Sequence, residues 1–286
     1  MRDVALAPSA DDLSELRRSM AGAVIEPGDS GYEWVRRCFN ALIDRNPALI
    51  VRPLGAGDVV TALAFARAQS LEVAVGGGGH NPSGHCVCDG GLVIDLSLMR
   101  RVEVDAERRI ARSEGGATWL DFDTAVQAHG LATPGGVVGT TGVAGLTFGG
   151  GVGHLTAQHG LTCDSLVAAE VVTADGSLVR ASAEDDADLL WGLRGGGGNF
   201  GVGTRLEFRL YPVERVIGGR LVFSGDGVAD GSAATATSAP PIRAISASVR
   251  CSTATPRSAT CWCCCPASPA PRPSRGRWAP CARSRG

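Results

Sequence analysis

VGGGGHNPSG, residues 75–84, is the stretch of sequence that decides the fold. An apolar, strand-like segment at 71–75 leads directly into four glycines. A strand that ends in glycines exposes successive backbone N–H groups without obstruction by Cβ atoms, and such a concave array suits a pyrophosphate. The run therefore predicts the phosphate loop of a nucleotide site. Its candidate cofactor-binding residues are Gly76, Gly77, Gly78, Gly79, His80, Asn81 and Gly84.

Two further glycine runs follow, TTGVAGLTFGGGVG at 140–153 and WGLRGGGGNFGVGT at 191–204. The first adds free N–H groups and two hydroxyls, and the second suits a backbone pressed flat against a planar ligand. Three such runs predict one long ligand that is contacted at several points, and the alternative is three flexible loops. The candidate cofactor-binding residues here are Thr140, Thr141, Gly142, Gly145, Gly149, Gly150, Gly151, Gly153, Asn199, Gly201 and Val202.

Two other kinds of nucleotide site fit these runs less well. The segment 149–153 superficially suggests a dinucleotide fingerprint, but a G-x-G-x-x-G motif after a strand and an acidic residue about twenty positions later are not cleanly present. A phosphate loop of the GxxxxGK[ST] type is excluded because all 27 basic residues are Arg and the chain contains no Lys.

The segments around the runs alternate between strand and helix patterns. A D-G turn at 174–176 joins two of the predicted strands, because Asp and Gly tolerate the positive dihedral angles of a tight turn. Helices mixed with several hairpins predict an α+β fold rather than a regular doubly wound sheet. The predicted strands lie at 48–54, 71–75, 91–97, 102–105, 110–114, 166–173, 178–181 and 202–210, and the predicted helices at 58–70, 117–129 and up to 193.

The three runs, with the lead-in residues Pro27, Gly28, Tyr32, Arg37 and Asn40 and the segment 47–53, resemble a known family. They are similar to the FAD-binding domain of the vanillyl-alcohol-oxidase superfamily, and most of all to the berberine-bridge-enzyme-like flavoproteins. The resemblance covers about residues 20–215. It implies a helical lead-in at 1–44 and, at 45–215, a PCMH-type FAD-binding domain of two α/β subdomains.

The resemblance also implies how FAD is held. In this family the G-G-H motif wraps the pyrophosphate and its histidine joins the 8α-methyl carbon of the flavin, so His80 inherits that role by position. Many relatives add a second bond from a cysteine before the second glycine run. Alignment places Val138 there, which implies a single covalent link. The backbone of 199–202 is expected near the adenine or the flavin ring.

The implied activity is that of an FAD-dependent oxidoreductase or oxidase. The flavin would accept a hydride from an alcohol or amine carbon of a small organic substrate, and dioxygen would reoxidise it. Relatives carry the catalytic base, often Tyr or Glu, in a second domain that this sequence does not resemble. The catalytic base is therefore unassigned, and His85, His129, His154 and His159 are given no chemistry. The alternatives are a truncated FAD-binding module without catalytic activity and an unstable fragment without a cofactor.

The sequence changes character towards its carboxyl end. From 231 to 286 there is no Asp or Glu, and Arg, Ala, Ser, Pro and Cys dominate. Such a mixture buries too little apolar surface to offset chain entropy, so we expect a linker and a low-complexity, disordered tail at 216–286. A frame-shifted reading of GC-rich DNA explains this composition. The contiguous cysteines at 263–265 lack the spacing of zinc ligands, so no metal is expected.

Composition narrows the class of partner. The formal net charge of -2 gives no basic field for nucleic acid or an anionic membrane. No apolar run is long enough to span a bilayer. The first twenty residues lack the apolar core of a secretory signal, so a cytoplasmic location is expected. FAD and a small-molecule substrate are the expected partners, and the sequence leaves the oligomeric state open.

Overall fold

The computed structural model describes residues 8–213 and the backbone of three strands between 216 and 266. The helices are α1 Ala10–Ser19, α2 Tyr32–Val35, α3 Ala56–Ala68, α4 Trp119–Gln127, α5 Val143–Phe148, α6 Thr156–His159 and α7 Ala187–Leu193. The strands are β1 Ala23–Ile25, β2 Leu49–Arg52, β3 Val73–Gly76, β4 Leu92–Asp95, β5 Val102–Asp105, β6 Ile110–Glu114, β7 Leu131–Ala132, β8 Leu166–Val172, β9 Leu178–Ser182, β10 Val202–Arg209, β11 Tyr211–Pro212, β12 Val216–Ser224, β13 Ser252–Thr255 and β14 Ser258–Pro266.

The first sheet has the strand order β1-β2-β4-β3. Strands β2, β4 and β3 are parallel, and β1 is antiparallel to β2. The continuous apolar character of β2 and β4 follows from burial on both faces. On one face Val51 and Ile94 pack with Val59 of α3 and Leu16 of α1, so the lead-in contributes to this core. On the other face a smaller cluster surrounds Tyr32, whose hydroxyl donates to the Pro47 carbonyl at 2.7 Å.

The second sheet is wholly antiparallel, with the order β5-β6-β10-β8-β9. Helices α4, α5 and α7 contribute to one hydrophobic cluster with its strands. Trp119, Phe122 and Phe208 are fully buried there and meet edge to face, with ring centroids 5.3 to 6.3 Å apart. Helix α4 begins with a capping box in which Thr118 and Asp121 satisfy each other's backbone N–H groups.

The α+β prediction is confirmed, and the predicted strands and helices occur close to their expected positions. Gly176 in the D-G turn has φ +90°. One helix start differs, because α3 begins at Ala56 with Gly55 as its N-cap and Asp58 lies inside its first turn. The Asp58 carboxylate instead accepts three N–H groups from neighbouring loops, those of Ala21, Gly22 and Leu54.

The carboxyl-terminal segment differs from its prediction at three places. Strand β14 contains the cysteine run and pairs antiparallel with both β12 and β13. Sequence analysis predicts no element there, although Val, Ile, Thr and aromatic residues in these segments favour strands. The remaining residues of the predicted tail lie outside the described residues. No helix in the described part of the chain is long and apolar enough to cross a membrane.

Candidate functional site

The first and second glycine runs cross at backbone distance. A Cβ atom built on Gly78 would lie 2.2 Å from the Gly142 nitrogen and 2.8 Å from the Thr140 carbonyl oxygen. A Cβ on Gly142 would lie 2.5 Å from the Gly78 nitrogen. Only glycine at both positions permits this approach. The structure therefore brings two of the three predicted runs together at one point.

A second crossing connects the first run to the second sheet. A Cβ on Gly77 would meet the Gly115 carbonyl oxygen at 3.2 Å, and a Cβ on Gly115 would meet the Gly203 carbonyl oxygen at 2.1 Å. The Gly115 N–H also donates to the Thr204 carbonyl at 2.9 Å. The phosphate loop thus lies where the ends of β3, β6 and β10 converge. Sequence reasoning missed Gly115, because a single glycine at the end of a strand carries no distinct signal.

The first run keeps several backbone donors available. Within residues 8–213, the N–H groups of Gly78, Gly79 and His80 donate to no protein acceptor. Gly79 has φ +68°, a left-handed conformation that turns the loop. Asn81 closes the loop by accepting the N–H groups of Ser83 and His85 at 3.0 and 3.3 Å. Successive unpaired N–H groups in a turned loop form an anion site, and a pyrophosphate fits it.

His80 lies beside the second run. Its Nε2 atom is 2.9 Å from the Thr140 hydroxyl oxygen, and its Nδ1 atom is 3.4 Å from the Thr141 hydroxyl oxygen. The phenyl ring of Phe39 stacks on the imidazole, with the centroids 4.2 Å apart and the planes 16° apart. Partial burial lowers the pKa of His80 below its usual value of 6.5. A lowered pKa favours the neutral imidazole, in which one ring nitrogen carries a nucleophilic lone pair.

The second run forms the start of a helix and a tight loop. Gly145 lies in α5 and faces open space, with no atom within 4 Å of a Cβ placed on it. Gly150 and Gly151 have φ +103° and +80°. A Cβ on Gly153 would lie 1.7 Å from the Gly135 carbonyl oxygen, so this end of the run packs against protein backbone. Val138 is 44% exposed at the predicted cysteine position.

The third run is connected to the second by a backbone hydrogen bond. The Gly197 N–H donates to the Phe148 carbonyl at the end of α5, at 2.8 Å. The Asn199 side chain donates to the Gly196 carbonyl at 2.7 Å and so shapes its own loop. Gly201 has φ +137°, and a Cβ there would meet the Val172 carbonyl oxygen at 2.4 Å. The three runs form one connected region in the structure.

Part of the region formed by the three glycine runs matches a known protein family. Residues 47–182 match a family whose description is "FAD binding domain". This part of the chain is similar to that family over the matched residues. The match spans the first two glycine runs, and the FAD-binding domain agrees with the resemblance predicted from sequence.

Relatives with known names are FAD-linked oxidoreductases and oxidases. (R)-6-hydroxynicotine oxidase of Paenarthrobacter nicotinovorans is 39% identical over 197 residues, which are 69% of this chain and 43% of the relative. The solved structure of 6-hydroxy-D-nicotine oxidase from Arthrobacter nicotinovorans has a TM-score of 0.82 at 32% identity, over 88% of this chain and 57% of the other.

A third relative bears on the cofactor. Glucooligosaccharide oxidase from Acremonium strictum is 31% identical with a TM-score of 0.69, over 74% of this chain and 45% of its own. It is described as having a 6-S-cysteinyl, 8α-N1-histidyl FAD. The present chain spans about half the length of the relatives that it matches.

The other histidines and the thiols in this part of the chain have surroundings typical of structural residues, not of catalytic ones. His159 stacks on Tyr211 with the centroids 3.8 Å apart, and its Nε2 atom is buried without a hydrogen-bond partner among the described residues. His85 is an exposed loop residue, and His129 follows the end of α4. Burial raises the pKa of the Cys86 and Cys88 thiols to about 11, which makes them poor nucleophiles.

A cleft of about 160 Å³ lies at the start of α3, and Thr204, the last residue of the third run, is one of its lining residues. Its walls are charged, and its charges pair with one another: Arg205 contacts Glu103 at 2.8 Å. No predicted cofactor residue lines it. The polar groups that fit a dinucleotide therefore belong to the glycine runs and not to this cleft.

Proposed function

We propose that this chain binds FAD along the three glycine runs, through a covalent bond to His80, as the flavin-binding part of an oxidoreductase. The bound flavin would supply hydride acceptance from an alcohol or amine carbon of a small organic substrate, with dioxygen as the final electron acceptor. The observation that carries the proposal is the position of the His80 imidazole at the crossing of the phosphate loop with Thr140 and Thr141.

Different residues of the chain would hold different parts of the cofactor. The N–H groups of Gly78, Gly79 and His80 would donate hydrogen bonds to the pyrophosphate oxygens, since these N–H groups donate to no protein acceptor in residues 8–213. Gly145 would leave room for the ligand beside α5, because open space lies where its Cβ would be. The third run would contribute backbone around Asn199 to Val202.

A covalent bond through His80 is supported by chemistry and by a relative. A neutral imidazole is a nucleophile, and partial burial lowers the pKa of His80, which keeps it neutral. The glucooligosaccharide oxidase relative has a histidyl and a cysteinyl flavin bond. Val138 stands where the sequence alignment expects the cysteine, and its side chain has no nucleophilic atom. One covalent bond is therefore proposed, not two.

The substrate is proposed only as a class. The relatives are named oxidases of 6-hydroxynicotine and of glucooligosaccharides, and the chain covers less than half of each of these curated sequences. No group among the described residues is assigned as the catalytic base. A small organic molecule with an oxidisable carbon next to nitrogen or oxygen is the class that both names share.

The test is a denaturing gel of the purified chain, viewed under ultraviolet light after performic-acid treatment, with intact mass alongside. We expect a fluorescent band that is heavier than the polypeptide by one FAD. The His80→Ala variant should lose the acid-stable flavin and keep dissociable binding, and His129→Ala is the matched control. Acid-stable flavin in His80→Ala would refute the assignment. A dark wild-type band of unmodified mass would refute covalent binding.

A further inference from the structure

Three side chains contact the His80 imidazole and together restrict it. Thr140 and Thr141 approach its two ring nitrogens, and Phe39 covers one ring face. The Phe39 N–H also donates to the Gly79 carbonyl at 2.9 Å, which ties the lead-in to the phosphate loop. Phe39 lies before the segment 47–182 that matches the FAD-binding family. The surroundings of His80 are therefore built partly from outside that segment.

We propose that Thr140 and Phe39 are positioning residues that hold His80 with its proton on Nε2, so that the Nδ1 lone pair forms the bond to the flavin. This inference rests on the proposed covalent link, for which the glucooligosaccharide oxidase relative is described with an N1-histidyl bond, and adds to it which side chains orient the ring. Thr140 acts on the proton and Phe39 acts on the orientation of the ring. Neither residue reacts with the cofactor.

The proposed proton position is compatible with the two hydrogen-bond distances, and the NMR experiment below tests it. A neutral imidazole has one N–H donor and one lone-pair acceptor. The contact between Nε2 and Thr140 is 2.9 Å, which is the usual length for an N–H···O bond, while the contact between Nδ1 and Thr141 is 3.4 Å. With the N–H on Nε2, the Thr140 hydroxyl oxygen accepts the short bond. Nδ1 then carries the lone pair, and only the longer contact with Thr141 engages it.

Phe39 has few other roles that would explain its position. Its side chain is 70% exposed, so it contributes little to a hydrophobic core. The described aromatic contact of its ring is the near-parallel stack on His80. A stacked ring limits rotation of the imidazole about its side-chain bonds, and orientation of a nucleophile raises the rate of an intramolecular bond. Phe39 is thus placed to fix the plane in which Nδ1 points.

In the proposed step the His80 imidazole bonds to the 8α carbon of the flavin. The Nδ1–C8α bond forms and one C–H bond of the 8α-methyl group breaks. The 8α proton and the Nε2 proton pass to solvent or to the flavin, and the electron pair of the C–H bond remains on the flavin, which becomes two-electron reduced. Dioxygen takes those two electrons and two protons to give hydrogen peroxide. Oxidised, covalently bound flavin remains.

The first experiment reads the tautomer without any flavin. Long-range proton–nitrogen NMR of the histidine-labelled full chain identifies the protonated nitrogen, and the His80→Ala variant assigns the resonance among the five histidines. We expect the proton on Nε2 in the wild type and in Thr140→Ser, which keeps the hydroxyl. Thr140→Val should give a mixture of the two tautomers. A proton on Nδ1 in the wild type would overturn the inference.

The second experiment measures the rate of covalent FAD incorporation into apoprotein by intact mass. Thr140→Val and Phe39→Leu should each slow it by about tenfold, as expected for a nucleophile that loses its orientation. Thr140→Ser and Phe39→Tyr should retain the rate. The matched controls are Thr61→Val, whose hydroxyl only bonds its own helix, and Trp34→Leu, which is an exposed aromatic residue of the lead-in outside the three glycine runs.

The two failures are distinguishable. A wild-type chain that never gains the mass of FAD would contradict the proposed covalent link itself. A wild-type chain that gains FAD while Thr140→Val and Phe39→Leu gain it equally fast would leave the link in place and overturn the positioning role. Peptide NMR of the product adds a direct check, because flavin bonded to Nε2 would also overturn the proposal.

Discussion

Replacing Gly145 by alanine should raise the stability of the flavin-free chain and weaken its binding of FAD. Gly145 is in helix α5, has no positive φ, and a Cβ there would meet no atom within 4 Å. Glycine within a helix costs roughly 0.5–1 kcal/mol relative to alanine. For a domain of this size that gain raises Tm by about 1–4 °C. If FAD fills the open space, the same methyl group should clash with it.

The clash should be measurable as a loss of affinity. Inserting a methyl group into a filled site typically costs about 1–3 kcal/mol, which corresponds to a Kd about 5-fold to about 150-fold weaker. The assay is FAD titration in the His80→Ala background, where binding is reversible, with thermal unfolding of each apoprotein followed by circular dichroism. Gly57→Ala is the control, because Gly57 is also helical and also faces open space.

Gly145→Ala should stabilise the flavin-free chain and at the same time weaken its binding of FAD. Gly57→Ala should leave the Kd for FAD unchanged, whatever it does to Tm. If Gly145→Ala raises Tm and leaves the Kd unchanged, the space beside α5 is not where the flavin binds. If Gly145→Ala lowers Tm without FAD, the open surroundings described for this glycine are wrong.

Three further outcomes are expected. Gly78→Ala should lower the free energy of unfolding by about 2 kcal/mol or more, because its Cβ would press on the Gly142 backbone, and an unchanged urea midpoint would contradict that crossing. Asp58→Ala should cost about 3 kcal/mol by urea unfolding, since three backbone N–H groups lose their acceptor, and a loss below about 1 kcal/mol would refute its bracing role. His159→Phe should keep the stack on Tyr211. It should raise the free energy of unfolding by about 1 kcal/mol, because it removes an unpartnered buried nitrogen. Burial lowers the pKa of His159, so the unfolded chain binds a proton first as the pH falls below 6.5, and thermal melts should show less acid destabilisation in that variant than in the wild type.

Much of this architecture could be predicted from the sequence because local patterns decide it. The hairpin of β5 and β6 and the D-G turn between β8 and β9 depend on neighbouring residues alone. The glycine runs were visible because glycine is informative wherever backbone must approach closely. Helix α5 is not predicted, because its glycine and β-branched residues hide a helical segment within the second run.

The parts that could not be predicted depend on partners that are distant in sequence. Phe39 has an ordinary apolar side chain, and only the fold shows that it covers His80. Gly115 is a single glycine whose importance comes from Gly203, which is far along the chain. Asp58 is the first residue of the helix predicted at 58–70, but its carboxylate accepts backbone N–H groups from two loops elsewhere. Such pairings follow from how the two sheets dock, and a pattern in one segment does not contain that information.

The glycine crossings also bear on how the domain folds. The residues that meet at Gly77, Gly78, Gly115, Gly142 and Gly203 come from four separate stretches of chain and from both sheets. Contacts between such distant segments form late, because loop closure must precede them. A chain with only one sheet in place would have glycine loops but no binding site. Retention of flavin would then report that the whole two-sheet unit has assembled, and slow assembly would limit how soon after synthesis the chain becomes coloured.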